Sequence, residues 1–246
     1  PSGMTSHDCI NTIRKILKLK KVGHGGTLDP AVTGILTIAV GNATRLLPYL
    51  PKEKAYKAII QLGMNTTTDD LCGEIISQQK WPFLKKATLE KSLEKFRGTI
   101  SQQPPNVSSV HFQGERAYKR ARRGESFNLP KKIIKIFNLE LIKWEQETGQ
   151  LSINVHCSSG TYIRSLARDL GKDLKCGGCL AKLRRTEAQG FNEQKAITLK
   201  DLELLNFSTD PKLINVKLIN PLEALNHLPK AYIKKEEAIK KWRQGQ

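Results

Sequence analysis

Apolar and polar positions recur along the chain in patterns that predict its helices and strands. Over residues 6–21, apolar side chains repeat at the spacing of an amphipathic helix, with Ser6 as its cap and a basic opposite face. Residues 35–40 predict a short buried strand, and a brief helix follows that ends near Pro51. The apolar stripe of the first helix consists of Ile10, Ile13, Ile16 and Leu17.

The middle of the chain is predicted to contain both strands and helices. Residues 54–64 alternate with a period of two, which is typical of a half-buried strand. An amphipathic helix is predicted over 88–97, with Gly98 as its stop. The inward face of the strand consists of Tyr56, Ala58, Ile60 and Leu62.

A hairpin is predicted from residues 133–144 and 150–157, with Gly149 in its turn. Strands and helices are interspersed without a regular βαβ period, which favours an α+β fold over a doubly wound one. We expect one unit over residues 1–215 and a separate C-terminal segment over 216–246.

The charge balance predicts a polyanionic partner. The chain has 41 Lys and Arg against 23 Asp and Glu, a formal charge of +18. Such a field attracts nucleic acids and anionic surfaces. A membrane-surface role is disfavoured, because the basic residues are spread among several segments instead of forming one amphipathic helix.

Cysteine usage and apolar run length indicate an intracellular protein. The apolar runs are too short to cross a bilayer, and no signal-peptide pattern opens the sequence. Five scattered cysteines argue against a disulfide framework. Cys176 and Cys179 form a lone CxxC without two further well-placed ligands, so we expect reduced thiols in or near the core and no metal site.

The segment GHGGTLDPAVTG, residues 23–34, is the first candidate for chemistry. Its four glycines permit close backbone approach by a ligand, and Pro30 biases Asp29 toward an extended conformation. A phosphate cradle is disfavoured, because neither a GK[ST] ending nor a dinucleotide fingerprint is present. From spacing alone, a turn in which Asp29 bonds its own backbone is an equal alternative.

The segment CSSGTYIRSLARDLG, residues 157–171, opens a predicted helix. Tyr162 and Arg164 lie two residues apart at its start, where an arginine can orient a carboxylate. From spacing alone, a surface cation is the more common outcome for Arg164. The expected limits of the helix are a cap at Ser159 or Thr161 and a stop near Gly171.

A basic stretch runs from Arg116 to Lys135 and contains eight Lys or Arg residues and one acidic residue, Glu125. Tyr118 and Phe127 are interleaved, a composition suited to an RNA backbone and unstacked bases. A solvated helix face is the alternative. We predict RNA contacts at Arg116, Lys119, Arg120, Arg122, Arg123, Lys131 and Lys132, and also at Arg184 and Arg185 of the segment LAKLRR.

Six segments in order resemble the TruB-type tRNA pseudouridine synthases and together cover residues 1 to about 200. This resemblance implies a pseudouridine synthase fold, in which a mixed, mainly antiparallel sheet is flanked by helices and loops. The segments are PSGMTSHD, KVGHGGTLDPAVTGIL, KAYKAIIQLG with TTDD, QQPPNVSSVHFQGERAYKRAR, CSSGTYIRSLARDLG and LAKLRR.

The resemblance implies isomerisation of a uridine in the T loop of tRNA, conventionally position 55, by base flipping and without a cofactor or metal. Asp29 matches the essential aspartate of the family, and Arg164 matches its partner. The implied substrate-binding residues are His24, Tyr56, Asp70, Tyr162 and Leu183. The basic stretch falls where the family has an insertion, about residues 112–135, that embraces the T arm.

The sequence also departs from the family pattern. The family commonly has threonine where Gly25 stands, and an Asp-Lys pair just before the position of Pro1. Many members end in a PUA domain, and residues 216–246 resemble only the opening of one, so we expect a shortened C-terminal domain. We expect a cytoplasmic monomer that binds the T arm of tRNA. The alternatives are a synthase of another RNA hairpin that resembles a T loop, and a non-catalytic RNA-binding protein.

Overall fold

The computed structural model describes residues 1–204, 218–233 and 235–244. Its helices include α1 (Ser6–Leu17), α2 (Lys86–Glu94), α3 (Ala117–Arg122), α4 (Ile163–Asp173) and α5 (Leu199–Leu204), followed by two short helices at Pro221–Ala224 and Glu236–Arg243. Its strands include β1 (Val22–His24), β2 (Thr33–Gly34), β3 (Ile38–Val40), β4 (Lys54–Leu62), β5 (Met64–Thr66), β6 (Ile75–Gln78), β7 (Gly98–Gln102), β8 (His111–Phe112), β9 (Glu115–Arg116), β10 (Lys132–Glu145), β11 (Gln150–Cys157), β12 (Gly178–Ala188) and β13 (Phe191–Asn192). The domain boundary expected at 215 lies outside the described residues.

A seven-stranded mixed sheet forms the centre of the fold; six of its strands follow the order β13-β12-β4-β11-β10-β7, and the seventh, β2, lies off this path. Neighbours along this path are antiparallel, and β2 adds a parallel pairing to β12. The predicted α+β class and mainly antiparallel sheet are confirmed. The sheet places β4 between β11 and β12, so its residues are flanked on both sides by residues distant in sequence.

The period-two pattern of β4 is confirmed by its burial. Tyr56, Ala58, Ile60 and Leu62 are all at most 8% exposed. They join α4 side chains such as Leu166 and Leu170 in one core cluster, so α4 covers this face of the sheet. The predicted hairpin is also confirmed as β10 and β11, with Gly149 at φ +68° in its turn.

Several predicted boundaries are wrong. Helix α1 ends at Leu17 because Lys18 adopts a left-handed conformation with φ 52°. Its cap is Thr5, which forms a reciprocal capping box with Asp8, instead of Ser6. The buried strand predicted over 35–40 is reduced to the half-buried β3, and the brief helix after it is a 3₁₀ helix, Gly41–Tyr49.

The other predicted helices are also shifted. Helix α4 begins after Tyr162, whose side chain makes no capping hydrogen bond, so the caps predicted at Ser159 or Thr161 are wrong. It continues through Gly171 to Asp173, so the stop predicted near Gly171 is wrong. A Cβ at Gly171 would lie 2.2 Å from backbone atoms of Gly177 and Gly178, so glycine is needed there for close packing and not to end the helix. The helix predicted over 88–97 occupies Lys86–Glu94 instead.

Candidate active site

The loop between β1 and β2 carries Asp29 and is tied to its surroundings through its backbone. The amide of Leu28 donates to Ser6 Oγ at 2.9 Å. The amide of Gly3 donates to the carbonyl of Pro30 at 2.7 Å, and the amide of Val32 donates to the carbonyl of Asp29 at 2.9 Å. The loop therefore follows a fixed path, although residues 25–32 form no helix or strand.

Arg164 lies within ion-pair distance of Asp29. Its Nη2 is 2.8 Å from Asp29 Oδ2, and its Nη1 donates to the carbonyl of Thr68 at 3.0 Å. The Arg164 side chain is only 8% exposed, whereas that of Asp29 is 51% exposed. A buried guanidinium thus holds a carboxylate that is open to a ligand, and the alternative of a surface cation at Arg164 does not hold.

Asp70 lies on the other side of the same guanidinium. Its Oδ2 is 3.7 Å from Arg164 Nε, and its Oδ1 accepts from Thr68 Oγ1 at 2.6 Å and from the amide of Cys72 at 3.0 Å. These bonds fix the Asp70 side chain in the loop between β5 and β6. The side chains of Asp29, Asp70 and Arg164 are therefore brought together from three separate segments.

A second ion pair lies one helical turn farther along α4. Arg168 Nη1 is 2.8 Å from Asp69 Oδ2, and Arg168 Nη2 donates to the carbonyl of Gln103 at 2.9 Å. Asp69 has φ 61°, so consecutive aspartates point toward two successive arginines of the helix. Burial raises the pKa of Asp69 above its usual value, opposed by Arg168. The sequence reasoning missed this pair, although the i, i+4 spacing of the arginines was available.

Two tyrosines lie within electrostatic range of Asp29. Tyr56 is 8% exposed, and burial raises its pKa to about 12. Burial also raises the pKa of the half-buried Tyr162, and Asp29 contributes to both increases. Leu183 is opposite Ala58 in the β4–β12 pair and packs on the cluster that contains Tyr56. Tyr56 and Leu183 thus lie on neighbouring strands of the sheet, and Tyr162 lies at the start of α4.

His24 lies at the start of the same loop. Its Nδ1 accepts from the amide of Gly26 at 3.3 Å, and burial lowers its pKa, with a further contribution from Arg185. A Cβ at Gly25 would lie 1.8 Å from Gln189 Oε1. The amide of Gln189 therefore occupies the space that a side chain at position 25 would need.

The basic stretch forms a small unit of its own, built from β8, β9 and α3. Phe112 and Phe127 stack with ring centroids 5.8 Å apart, and Arg120 lies 5.5 Å from each centroid. Arg120 pairs with Glu125, and Arg123 pairs with both Glu115 and Glu125. The exposed cations of this stretch for which the described residues provide no carboxylate within 4.0 Å are Arg116, Lys119, Arg122, Lys131, Lys132 and Lys135.

The two arginines of LAKLRR point to opposite faces of β12. Arg184 is exposed and pairs with Glu193 at 2.5 Å. Arg185 is 1% exposed, and its guanidinium donates to loop carbonyls instead of facing solvent. The prediction of an RNA contact at Arg185 is therefore wrong, because strand alternation turns this side chain into the protein.

The cysteines do not form a metal site among the described residues. Cys157, Cys176 and Cys179 are buried free thiols, as expected, whereas Cys72 is exposed. Among the described residues, no group of three or more His, Cys, Asp or Glu side chains is arranged to hold a metal ion. A cavity of about 740 Å³ is lined by residues of α1, of α5 and of the segment 32–40, and Asp29 does not line it. None of the described helices combines the length and apolar character needed to cross a bilayer.

Solved structures with the same fold come from Cbf5 complexes. The chain is similar to one chain of a Cbf5–Nop10–Gar1 complex, with a TM-score of 0.77 and 29% identity, covering 100% of this chain and 65% of that one. It is also similar to a chain of an archaeal box H/ACA sRNP Nop10–Cbf5 complex, with a TM-score of 0.68 and 28% identity, covering 93% of this chain and 60% of that one. The chain spans less than two thirds of these proteins. It has the pseudouridine synthase fold.

Family models cover most of the sequence. The model of the TruB family pseudouridylate synthase N-terminal domain matches residues 14–163, and that of the tRNA pseudouridylate synthase B C-terminal domain matches 164–226. The tRNA pseudouridine synthase B of Prochlorococcus marinus (strain MIT 9313) is 55% identical over 96% of this chain and 72% of its own length. That of Synechococcus sp. (strain CC9311) is 58% identical over 93% of this chain and 76% of its own length. The chain belongs to the TruB family of pseudouridylate synthases, a family of isomerases.

Proposed function

We propose that this protein isomerises uridine to pseudouridine in tRNA, at position 55 of the T loop, with Asp29 as the essential carboxylate. The observation that carries the proposal is the 2.8 Å pair between Arg164 and Asp29, beside Tyr56 and Tyr162. The names of the curated relatives, tRNA pseudouridine synthase B, support tRNA as the substrate.

The reaction needs a carboxylate that is positioned at the ribose and a pocket that retains the detached uracil. The N1–C1′ bond breaks, the detached uracil rotates, and a C5–C1′ bond forms, while C5 loses its proton to solvent and N1 gains one. No oxidant, reductant or cofactor is consumed. The Asp29 carboxylate serves either by attacking C1′ or by removing a ribose proton, and both routes require it to face the sugar. The guanidinium of Arg164 fixes this direction, since a charge-assisted hydrogen bond restricts the carboxylate.

The target base must leave the stack of the T loop before the ribose is accessible. Flipping a nucleotide costs a few kcal/mol, which contacts in the pocket offset. We assign this stacking contact to the ring of Tyr56 and the lining of the pocket to Tyr162 and Leu183. We assign His24 to the space that the flipped nucleotide leaves in the loop, and Asp70 to the region of the target base.

We assign the basic insertion, residues 112–135, to contacts with the phosphates of the T arm. A protein that neutralises phosphates releases counterions, so its affinity falls steeply with salt. The cations assigned to this contact are Arg116, Lys119, Arg120, Arg122, Arg123, Lys131 and Lys132, together with Arg184 of β12.

The test is a map of the modified position in an unmodified tRNA transcript. After incubation with the protein, carbodiimide treatment and primer extension locate pseudouridine. We expect a single stop at position 55 and none in a matched transcript with cytidine at that position. Pseudouridine at another uridine would contradict the T-loop assignment and favour a synthase of a different hairpin. No pseudouridine in any RNA would favour a non-catalytic RNA-binding protein.

A further inference from the structure

Arg185 is a buried cation without a carboxylate partner among the described residues. Its side chain is 1% exposed, and no Asp or Glu of the described chain lies within 4.0 Å of its guanidinium. Burying a charge is costly unless hydrogen bonds compensate it, and an apolar side chain of similar size is often the more stable choice. We therefore look for the role of this guanidinium in the groups to which it donates hydrogen bonds.

The guanidinium of Arg185 interacts with the Tyr56 side chain and donates to backbone carbonyls on both sides of Asp29. Its Nε donates to the carbonyl of Ile35 at 2.7 Å. Its Nη1 and Nη2 donate to the carbonyls of Thr27 at 3.4 Å and Gly26 at 3.2 Å. One planar group thus joins the chain before Asp29 to the chain after it. Because residues 25–32 have no helix or strand of their own, this bridge fixes the base of the loop.

The backbone of Arg185 anchors the same loop a second time. Its carbonyl accepts from the amide of Ile35 at 2.9 Å, within the parallel pairing of β2 and β12. Gly34 has φ +107°, and a Cβ there would lie 2.1 Å from the Arg185 carbonyl oxygen, so only glycine allows the two strands to approach this closely. Arg185 is also opposite Tyr56 in the β4–β12 pair.

We infer that Arg185 is a positioning residue, which sets the place of Asp29 relative to Tyr56 by clamping residues 26, 27 and 35 to strand β12. It does not contact the RNA. This inference rests on the proposed role of Asp29, and it predicts an effect on the rate of the chemical step and not on affinity.

The test compares Arg185→Lys with the wild type in single-turnover reactions on a T-arm stem-loop. Lysine keeps the charge but is shorter and lacks the Nε donor and the planar fork, so it cannot bridge all three carbonyls. We expect the rate constant to fall about 10²-fold, the effect of a misplaced catalytic group. The dissociation constant of the RNA and its salt dependence should stay unchanged. Hydrogen exchange should increase at the amide of Ile35, whereas the amides of β10 and β11 should keep their protection.

Arg97→Lys is the matched control. Arg97 also donates two guanidinium nitrogens to one backbone carbonyl, that of Leu139, at 2.9 and 2.8 Å. It precedes β7, at the opposite edge of the sheet from β13. We expect this variant to keep the wild-type rate. If Arg185→Lys does not fold, as judged by circular dichroism, Arg185→Gln is measured in the same way.

A wild-type rate and wild-type hydrogen exchange for the Arg185 variant would overturn the inference. So would a weaker RNA affinity with a flatter salt dependence at an unchanged rate, because that result places the side chain on the RNA. Asp29→Asn is measured in parallel. If it is inactive while Arg185→Lys is fully active, only the inference about Arg185 fails. If Asp29→Asn is active, the proposed function itself fails.

Discussion

The Asp29 site and the basic insertion are both rich in charge, but they are held in place by different means. At the site, the partners come from distant segments: Asp29, Thr68 and Arg164 meet through the packing of α4 and two loops on the sheet. In the insertion, Arg120 and Arg123 pair with glutamates at most eight residues away. The site thus depends on the whole fold, whereas the insertion is organised locally.

This difference separates two kinds of contribution to function. A buried guanidinium that directs one carboxylate contributes through geometry, so its loss should lower the rate of reaction. An exposed cation contributes through the field around it, so its loss should weaken binding in a salt-dependent way. Variants in the two regions should therefore change different measured quantities.

The largest effect after loss of Asp29 is expected for Arg164→Lys. Lysine keeps the charge but cannot contact Asp29 and the carbonyl of Thr68 with two nitrogens of one plane. We expect the single-turnover rate constant to fall about 10²-fold with little change in RNA affinity. The control is Arg168→Lys, which alters the Asp69 pair one turn away and should have a much smaller effect. Equal effects of the two variants would contradict a specific role for Arg164.

A smaller effect is expected for Tyr56→Ala. Stacking of a base on an aromatic ring contributes about 1–3 kcal/mol, so the rate on a T-arm stem-loop should fall between about 5-fold and about 150-fold, and about 30-fold at the middle of that range. Tyr56→Phe keeps the ring and should retain most of the rate at neutral pH. An unaffected rate for Tyr56→Ala would refute the stacking assignment.

The insertion is tested by two double variants that remove the same net charge. Lys119→Gln/Arg122→Gln removes exposed cations, whereas Arg120→Gln/Arg123→Gln removes cations that pair with glutamates. The first variant should flatten the slope of log affinity against log salt by about 1.4 to 1.8, the value for two lost phosphate contacts. The second should change the slope less. Filter-binding titrations over a several-fold range of salt concentration measure the slope for both variants. Equal slopes would mean that pairing with glutamate does not reduce the contribution of Arg120 and Arg123 to RNA binding.

The smallest effect at neutral pH is expected for Tyr56→Phe. Its effect on the free energy of unfolding should appear only at alkaline pH. The pKa of the Tyr56 hydroxyl is raised by burial from 10.0 to about 12, so the folded state keeps the phenol neutral. Below pH 10 the phenol is neutral in both states, and between pH 10 and 12 the unfolded chain loses this proton first. The free energy of unfolding should therefore fall by about 2 to 3 kcal/mol across this range from Tyr56 alone.

Tyr56→Phe should remove that part of the alkaline decline. Urea unfolding at fixed pH values, compared between the wild type and this variant, measures it. Parallel pH curves for the two proteins would show that Tyr56 ionises as freely in the folded state as in the unfolded one.

The sequence predicted the regular parts of the fold well, because they follow local periodicity. The strand predicted over 54–64 is confirmed over Lys54–Leu62 and ends where Gly63 takes a positive φ, and the hairpin around Gly149 is confirmed. The end of α1 was missed because Lys18 takes a left-handed conformation, which spacing does not reveal. The pairing of β2 with β12 was missed because its two-residue strand is defined by a partner about 150 positions away.

The site could be predicted only in part from the residues themselves. Asp29 and Arg164 are 135 positions apart, and only the family resemblance joined them before the fold was known. Arg184 and Arg185 are adjacent in sequence but are separated in the structure, since strand alternation places neighbouring side chains on opposite faces. Treating both as RNA contacts ignored this rule, and the structure encloses Arg185.

Release of tritium from C5 of the target uracil tests the role of Asp29 most directly. Asp29→Asn keeps the shape of the side chain and removes its charge, and Asp69→Asn is the matched control, because its carboxylate also pairs with an arginine of α4. On a T-arm stem-loop labelled at C5, we expect wild-type protein and Asp69→Asn to release tritium, and Asp29→Asn to be slower by at least about 10³-fold. Release by Asp29→Asn at the wild-type rate would remove this carboxylate from the reaction.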